Sequence, residues 1–289
     1  MTARAQPPPA VPGGLRERVL AASRQARAAG IGVPEVPPAA PTDAFSAAAS
    51  AMYRLLCSLS EADWRVLVIR GLDAQCLIGH LIGVEKDMHR CLAGDATVAR
   101  ADHVRSTQAE ALRQRARPAE ATREEWYQAA CRTIALVAEL GDLDAGVVLH
   151  GVPLPVRDLL VARVFELWTH ENDIRAATGR PASVPDPPSL RLMAALATAY
   201  LPFGAALVGM RDPVGARLVL TGPGGGTWDV LLGPAEAPGR TSLRIVTDVV
   251  RFCRLVGNRV APADVQAQVS GDPWLAESVL AAAAALALD

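Results

Sequence analysis

The stretch Arg157–Arg180, RDLLVARVFELWTHENDIRAATGR, decides how the chain is read. Leu159, Leu160, Val164, Phe165, Leu167 and Trp168 recur at helical spacing, and Gly179 followed by Pro181 supplies the expected stop signals. The segment is expected to be a long amphipathic helix with Trp168 in the core. Glu166 and His170 are four residues apart in it, so both side chains leave one helix face and can converge on a single atom, such as a divalent metal. An ordinary surface pair has the same spacing.

A third ligand is available from a second segment. Asp73–Cys91, DAQCLIGHLIGVEKDMHRC, reads as a helix with Asp73 as N-cap and Leu77, Ile78, Leu81 and Val84 as its apolar positions. His80, at its centre, is expected to face inward, as a hydrogen-bonded core group or as a ligand. If the two helices pack together, His80, Glu166 and His170 make a His2Glu set. Three protein ligands leave a fourth position for water or substrate, as catalytic zinc sites require. Cys76, four residues before His80, could close that shell and make the site structural; its other reading is a small buried core residue.

Composition frames these motifs. The chain has 289 residues, enough for about two domains, and an apolar share of 51% suffices for a packed core. A net charge of -1 with both signs interspersed gives no basic stripe, so nucleic acid is not an expected partner. No apolar run is read as reaching membrane-spanning length before a charge interrupts it, and the N-terminus shows no signal-peptide core. Cys57, Cys76, Cys91, Cys131 and Cys253 are odd in number and form no C-x-x-C pair, which argues against a disulfide framework. A soluble cytoplasmic protein is expected.

Along the chain, residues 1–41 read as an N-terminal extension, partly disordered, with a short helix over Leu15–Ala29 and a proline-rich linker from Gly30. Residues 42–184 read as a bundle of four main helices. The first is capped by Thr42 or Asp43 and runs to Leu59, with a further turn at Ser60–Trp64. The His80 helix is the second, and a third, with Thr122 and Glu125 as a capping box, ends at Gly141. Ala96–Arg105 reads as a polar loop suited to a flap, and Val147–Val156 as an extended connection into the Glu166 helix. Residues 185–289 read as a small α+β domain. It starts with an apolar helix over Ser189–Gly209, followed by strands at Ala216–Leu220, Trp228–Leu232, Ser242–Val246 and Val265–Val269, and helices over Asp248–Val256 and Pro273–Leu288. The Gly-rich TGPGGGT between the first two strands suits a hairpin turn better than a phosphate loop, because neither a P-loop Lys nor a helix start follows.

Gly71, Leu72, His80, Leu81, Gly83 and Glu85 in one segment, with Arg163, Glu166, Trp168, His170, Asp173, Ile174 and Arg175 in the other, resemble the mycothiol-dependent maleylpyruvate isomerase family. TGPGGGTW and VSGDPWLAESVL resemble that family's C-terminal part. The resemblance implies a mainly helical α+β fold, in which a DinB-like four-helix bundle precedes a sterol-carrier-like domain. It further implies a divalent metal, zinc first, on His80, Glu166 and His170, and mycothiol as a low-molecular-weight thiol co-substrate. The activity implied is an isomerase or thiol S-transferase acting on a small, acidic, conjugated electrophile. A non-catalytic metal- or ligand-binding module of the same fold is the alternative.

Leu72, where the family commonly has Trp, and Ala74 and Gln75, where it has Arg and Asp, are expected to alter the pocket wall rather than the ligands. Asp173 could orient a ligand imidazole or pair with Arg175 or Arg180, and Arg163 could fix Glu166 or meet an anionic substrate. A catalytic arginine is implied in the C-terminal part, but no spacing singles out one of Arg217, Arg240, Arg244, Arg251 and Arg259.

Overall fold

Helix α1 (Pro41–Cys57) opens the computed structural model, which describes residues 36–211, 213–233 and 241–287. The expected helix at Leu15–Ala29, most of the linker and Arg240 lie outside the described residues. Neither Thr42 nor Asp43 caps α1. Pro41 occupies the first turn, where its missing N–H costs nothing, and Ala40 takes the cap position without a side-chain bond. A hairpin of β1 (Leu67–Ile69) and β2 (Leu72–Asp73) then turns through Arg70 and Gly71, both at positive φ, into α2 (Ala74–Leu92). Asp73 caps α2 as expected, its Oδ1 accepting the Cys76 N–H at 2.7 Å.

Between α2 and the next long helix the structure departs from the expected loop. Only a short 3-10 turn (Val98–Arg100) is followed at once by α3 (His103–Arg115), capped by Asp102. The bundle therefore has five helices where four were read. α3 carries almost no apolar stripe, because it lies against glycines. A Cβ on Gly79 would come 2.7 Å from Ala111 Cα, and one on Gly83 2.9 Å from Thr107 Cβ, so the α2–α3 contact closes only without side chains there. The following helix, α4 (Ala119–Leu140), starts at Pro118. Thr122 is thus inside the helix, its hydroxyl donating to Gln114 Oε1 at 2.9 Å, and not the N-cap of a box with Glu125. Gly141, at φ 69°, ends α4 as read.

The connection expected over Val147–Val156 is an antiparallel hairpin, β3 (Gly146–Leu149) with β4 (Val152–Pro155). His150 (φ 50°) and Gly151 (φ 82°) make its two-residue turn, which requires left-handed backbone at both positions. The hairpin delivers the chain into α5 (Val156–Ala177). This helix is not amphipathic as read. Val156, Leu159, Leu160, Val161, Val164, Leu167, Trp168 and Ile174 are buried around most of its circumference, as befits a helix at the centre of the molecule. Each such large aliphatic side chain contributes about 1.5–3 kcal/mol on burial.

α6 (Pro187–Leu207) leads into a four-stranded sheet of β5 (Val214–Thr221), β6 (Gly226–Leu232), β7 (Thr241–Asp248) and β8 (Gln268–Ser270), ordered β6-β5-β7-β8 with β5 and β7 parallel. α7 (Val249–Val256) and α8 (Pro273–Ala284) complete it. The Gly-rich segment is a hairpin turn. Gly224 packs so close to Pro187 and Leu190 that a Cβ would meet the Pro187 carbonyl, and Arg191 donates to the Gly225 carbonyl at 2.7 Å while stacking on Trp228.

α6 is long and apolar enough to cross a membrane, which the sequence reading did not anticipate. Here it buries Leu190, Met193, Ala194, Ala197, Leu201 and Ala205 against the sheet and α8, the pattern of a core helix. All five cysteines are free thiols, as expected.

Candidate metal centre

Each residue of the His2Glu set is brought to one point by an identifiable partner. One ligand atom each from His80, Glu166 and His170 lie within 4.8 Å of one another, with His80 Nε2 3.3 Å from Glu166 Oε1. Thr107, from the helix the sequence reading missed, selects the tautomer of His80. Its hydroxyl donates to backbone carbonyls at 3.0 and 3.2 Å, so it accepts the proton of His80 Nδ1 at 2.7 Å and leaves Nε2 with a bare lone pair. His170 is held in the same sense, Nδ1 donating to Asp173 Oδ2 at 3.0 Å. Cys76 lies outside this cluster. Burial, first, and the neighbouring Asp73 push its thiol up to about 11, so it is a core thiol.

Arg163 fixes the carboxylate. It is fully buried, with Nη2 2.7 Å from Glu85 Oε1 and Nη1 on Glu166 Oε2. Glu85 is in turn bonded by the Thr133 hydroxyl. Burial alone would raise the Glu166 carboxyl, but the charge of Arg163 outweighs it and holds the group well below the usual carboxylate range. One oxygen, Oε1, is buried with no hydrogen-bond partner among the described residues. A buried anionic oxygen without a donor costs folding energy unless a cation meets it, and this one faces two imidazoles whose lone pairs are likewise free. The donor set and the orphaned oxygen fit a divalent metal of zinc type.

Asp173 does not pair with Arg175 or Arg180. Arg175 bonds Glu171, and Arg180 bonds Asp63 and the Ser58 carbonyl. The partner of Asp173 is Arg259, whose Nε and Nη2 each reach a carboxylate oxygen at 2.8 Å. Gly257 permits that approach, since a Cβ there would stand 2.9 Å from Thr169 Oγ1 on α5. Of the described C-terminal arginines offered by the sequence, Arg259 reaches the site, while Arg217 pairs with exposed Asp229 and Arg251 bonds the Asp264 carbonyl.

Two further histidines stand here that sequence reasoning did not select. His103 Nε2 is 3.8 Å from Glu166 Oε1, its Nδ1 is 3.1 Å from His150 Nδ1, and His150 Nε2 is 2.9 Å from Asp87 Oδ2. Burial holds the His103 imidazole down at about 4, so it is neutral near pH 7. The sequence signals were present but local: Asp102 as an N-cap, and a His-Gly pair suited to a two-residue turn.

A cavity of about 400 Å³ opens beside Glu166 and His170. Its wall combines α5, the β3–β4 hairpin, the first turn of α3, α6 and the segment around Arg259, so bundle and sheet regions both contribute. The departures at Leu72, Ala74 and Gln75 do not line it, contrary to expectation. Gln75 instead ties α2 to the α3–α4 connection, donating to the Gln114 and Arg117 carbonyls at 2.7 Å.

Residues 45–175 match the family described as the mycothiol maleylpyruvate isomerase N-terminal domain. Among solved structures the chain is similar to a mycothiol-dependent maleylpyruvate isomerase, with a TM-score of 0.56, 15% identity, and coverage of 79% of this chain and 91% of that one. A histidine-to-alanine mutant of the mycothiol-dependent maleylpyruvate isomerase aligns with TM-score 0.55 and 14% identity over the same shares. At such identity the likeness shows a shared fold. No curated protein matches the chain.

Proposed function

We propose, for a chain whose residues 45–175 belong to the mycothiol maleylpyruvate isomerase N-terminal-domain family, that His80, Glu166 and His170 hold a catalytic divalent metal, zinc first. The reaction proposed is a mycothiol-dependent isomerisation or S-transfer on a small electrophile. The observation that carries this is the buried, unpartnered Glu166 Oε1 facing imidazole nitrogens whose protons are committed elsewhere, at the edge of an open cavity.

A metal bound there would supply the charge that lowers a thiol's pKa, so that thiolate is present at neutral pH. The chain's own residues do the rest. Thr107 and Asp173 hold the two imidazoles in register, and Arg163 keeps Glu166 ionised and aimed. His103 lines the cavity beside Glu166. Apolar wall residues pack against the hydrocarbon part of the electrophile. Addition of the thiolate to a conjugated carbon turns the double bond into a single one; rotation and elimination then give the isomer, while retention of the adduct is S-transfer. The same reading divides the chain into an extension over 1–41, a metal-binding bundle over 42–184 and a sterol-carrier-like part over 185–289.

The cavity beside the triad and the exclusion of Cys76 favour this over a closed structural site. Metal analysis of purified wild type and His170→Ala tests it. Near-stoichiometric zinc in the first and its loss in the second, with helix content unchanged, is the expected outcome; equal metal content in both removes the assignment.

A further inference from the structure

Two guanidinium groups reach the cavity wall, and both already hold carboxylates. Arg163 sits between Glu85 and Glu166, and Arg259 clamps Asp173. Asp102 also lines the cavity, accepting the Arg105 N–H at 2.9 Å. Both guanidinium groups that line the cavity are thus engaged by the protein's own carboxylates, so an acidic substrate entering there would have to compete with Glu85, Glu166 and Asp173 for them.

Most of the remaining wall is hydrocarbon. Leu149, Leu154, Phe165 and Leu196 line it, and Val104 and Phe203, 49% and 50% exposed, carry apolar surface out to solvent. The Tyr200 hydroxyl is engaged by Asp158 at 2.9 Å. A carboxylate brought against such a wall gives up its hydration without a partner, whereas a ring or alkyl chain gains by leaving water.

Resting on the metal-and-thiol reading above, we infer that the electrophile accepted here is a predominantly hydrocarbon molecule with an uncharged conjugated carbonyl, not the small acid implied by the family resemblance. The thiolate sulfur forms a bond to the β-carbon, and the alkene pair moves to give an enolate. The enolate takes one proton from water, and nothing is oxidised or reduced.

The test compares 4-phenyl-3-buten-2-one with its ring-carboxylated analogue, which share one reacting carbon. Each displaces the uncharged fluorophore N-phenyl-1-naphthylamine from the full-length protein, with and without added zinc. Saturable dye binding is expected, with displacement by the uncharged enone at a concentration at least tenfold lower than that of the carboxylated one. Equal or better displacement by the acid, or no saturable dye binding, overturns the inference. Leu196→Arg sets an uncompensated cation on the half-buried wall and should reverse the order; Val104→Arg does so at an exposed position where folding is not at stake. An unchanged order in folded Val104→Arg also counts against the inference. Dye displacement needs no metal, so protein that retains no zinc yet prefers the uncharged enone would sink the metal reading and leave the substrate class standing.

Discussion

Asp173→Ala cuts the link between the candidate ligand His170 and the C-terminal part of the chain, and its cost can be worked from two contacts. The carboxylate accepts the His170 Nδ1 proton at 3.0 Å and both Arg259 bonds at 2.8 Å. Burial opposes its ionisation, yet hydrogen bonds from Arg259 and His170 outweigh this and hold it below the ordinary range. Loss of such an outer partner weakens metal binding about ten- to hundredfold, or roughly 1.4–2.8 kcal/mol. Loss of the Asp173 bonds to Arg259 adds a folding cost. Breaking a buried pair costs about 3–5 kcal/mol. The Arg259 side chain is 18% exposed, so solvent recovers part of this and about 2 kcal/mol is expected. Asp173→Asn keeps an oxygen for the imidazole but no charge, so it should retain most metal affinity while losing the arginine clamp. Arg259→Met should leave the His170 bond in place and lose stability alone. Zinc affinity by competition with a chromophoric chelator, set beside urea unfolding, separates the two effects. Wild-type zinc affinity in Asp173→Ala, or Asn as damaging as Ala, would refute the argument that this carboxylate orients the ligand.

Two further outcomes probe the scaffold. Gly83→Val places a Cβ 2.9 Å from Thr107 Cβ and 3.0 Å from its Cα, so α3 must move away, costing about 1–3 kcal/mol in urea unfolding and loosening the Thr107 bond to His80; an unchanged unfolding midpoint would contradict the close helix contact. Glu125 is held at about 2, where burial, which raises it, is outweighed by bonds from Gln114 and Lys86 and the charge of Arg113. A depressed carboxyl contributes stability that is full above its ordinary value near 4.5 and is lost as pH falls toward 2. Wild type should therefore lose thermal stability across that window more steeply than Glu125→Gln, and parallel acid profiles would refute the role given to the cluster.

The helices that bury large aliphatic faces were legible because their signals are local. Asp73 announces α2, Gly141 ends α4, and the four-residue step from Glu166 to His170 places both on one side of α5 whatever surrounds them. α3 escaped for a physical reason. It packs on Gly79 and Gly83, so its inward positions are Thr107, Ala111 and Gln114, and a helix that buries small and polar residues writes no apolar period into the chain. The true start of α4 was hidden in the same way, since Thr122 looks like a cap until its hydroxyl is seen to serve Gln114.

Sequence alone determined the secondary elements with strong periodicity, the candidate ligand residues and the chemistry those residues can support, because residue type and spacing within a helix are enough for each. Tertiary structure decided which groups complete the site. Arg259 meets Asp173 across 86 residues of chain, and His150 reaches Asp87 across 63, through a turn that holds the histidine in left-handed backbone. No local pattern encodes such pairings, because they depend on how closely whole helices approach, and that distance is set by glycines whose role shows only when their neighbours are in place.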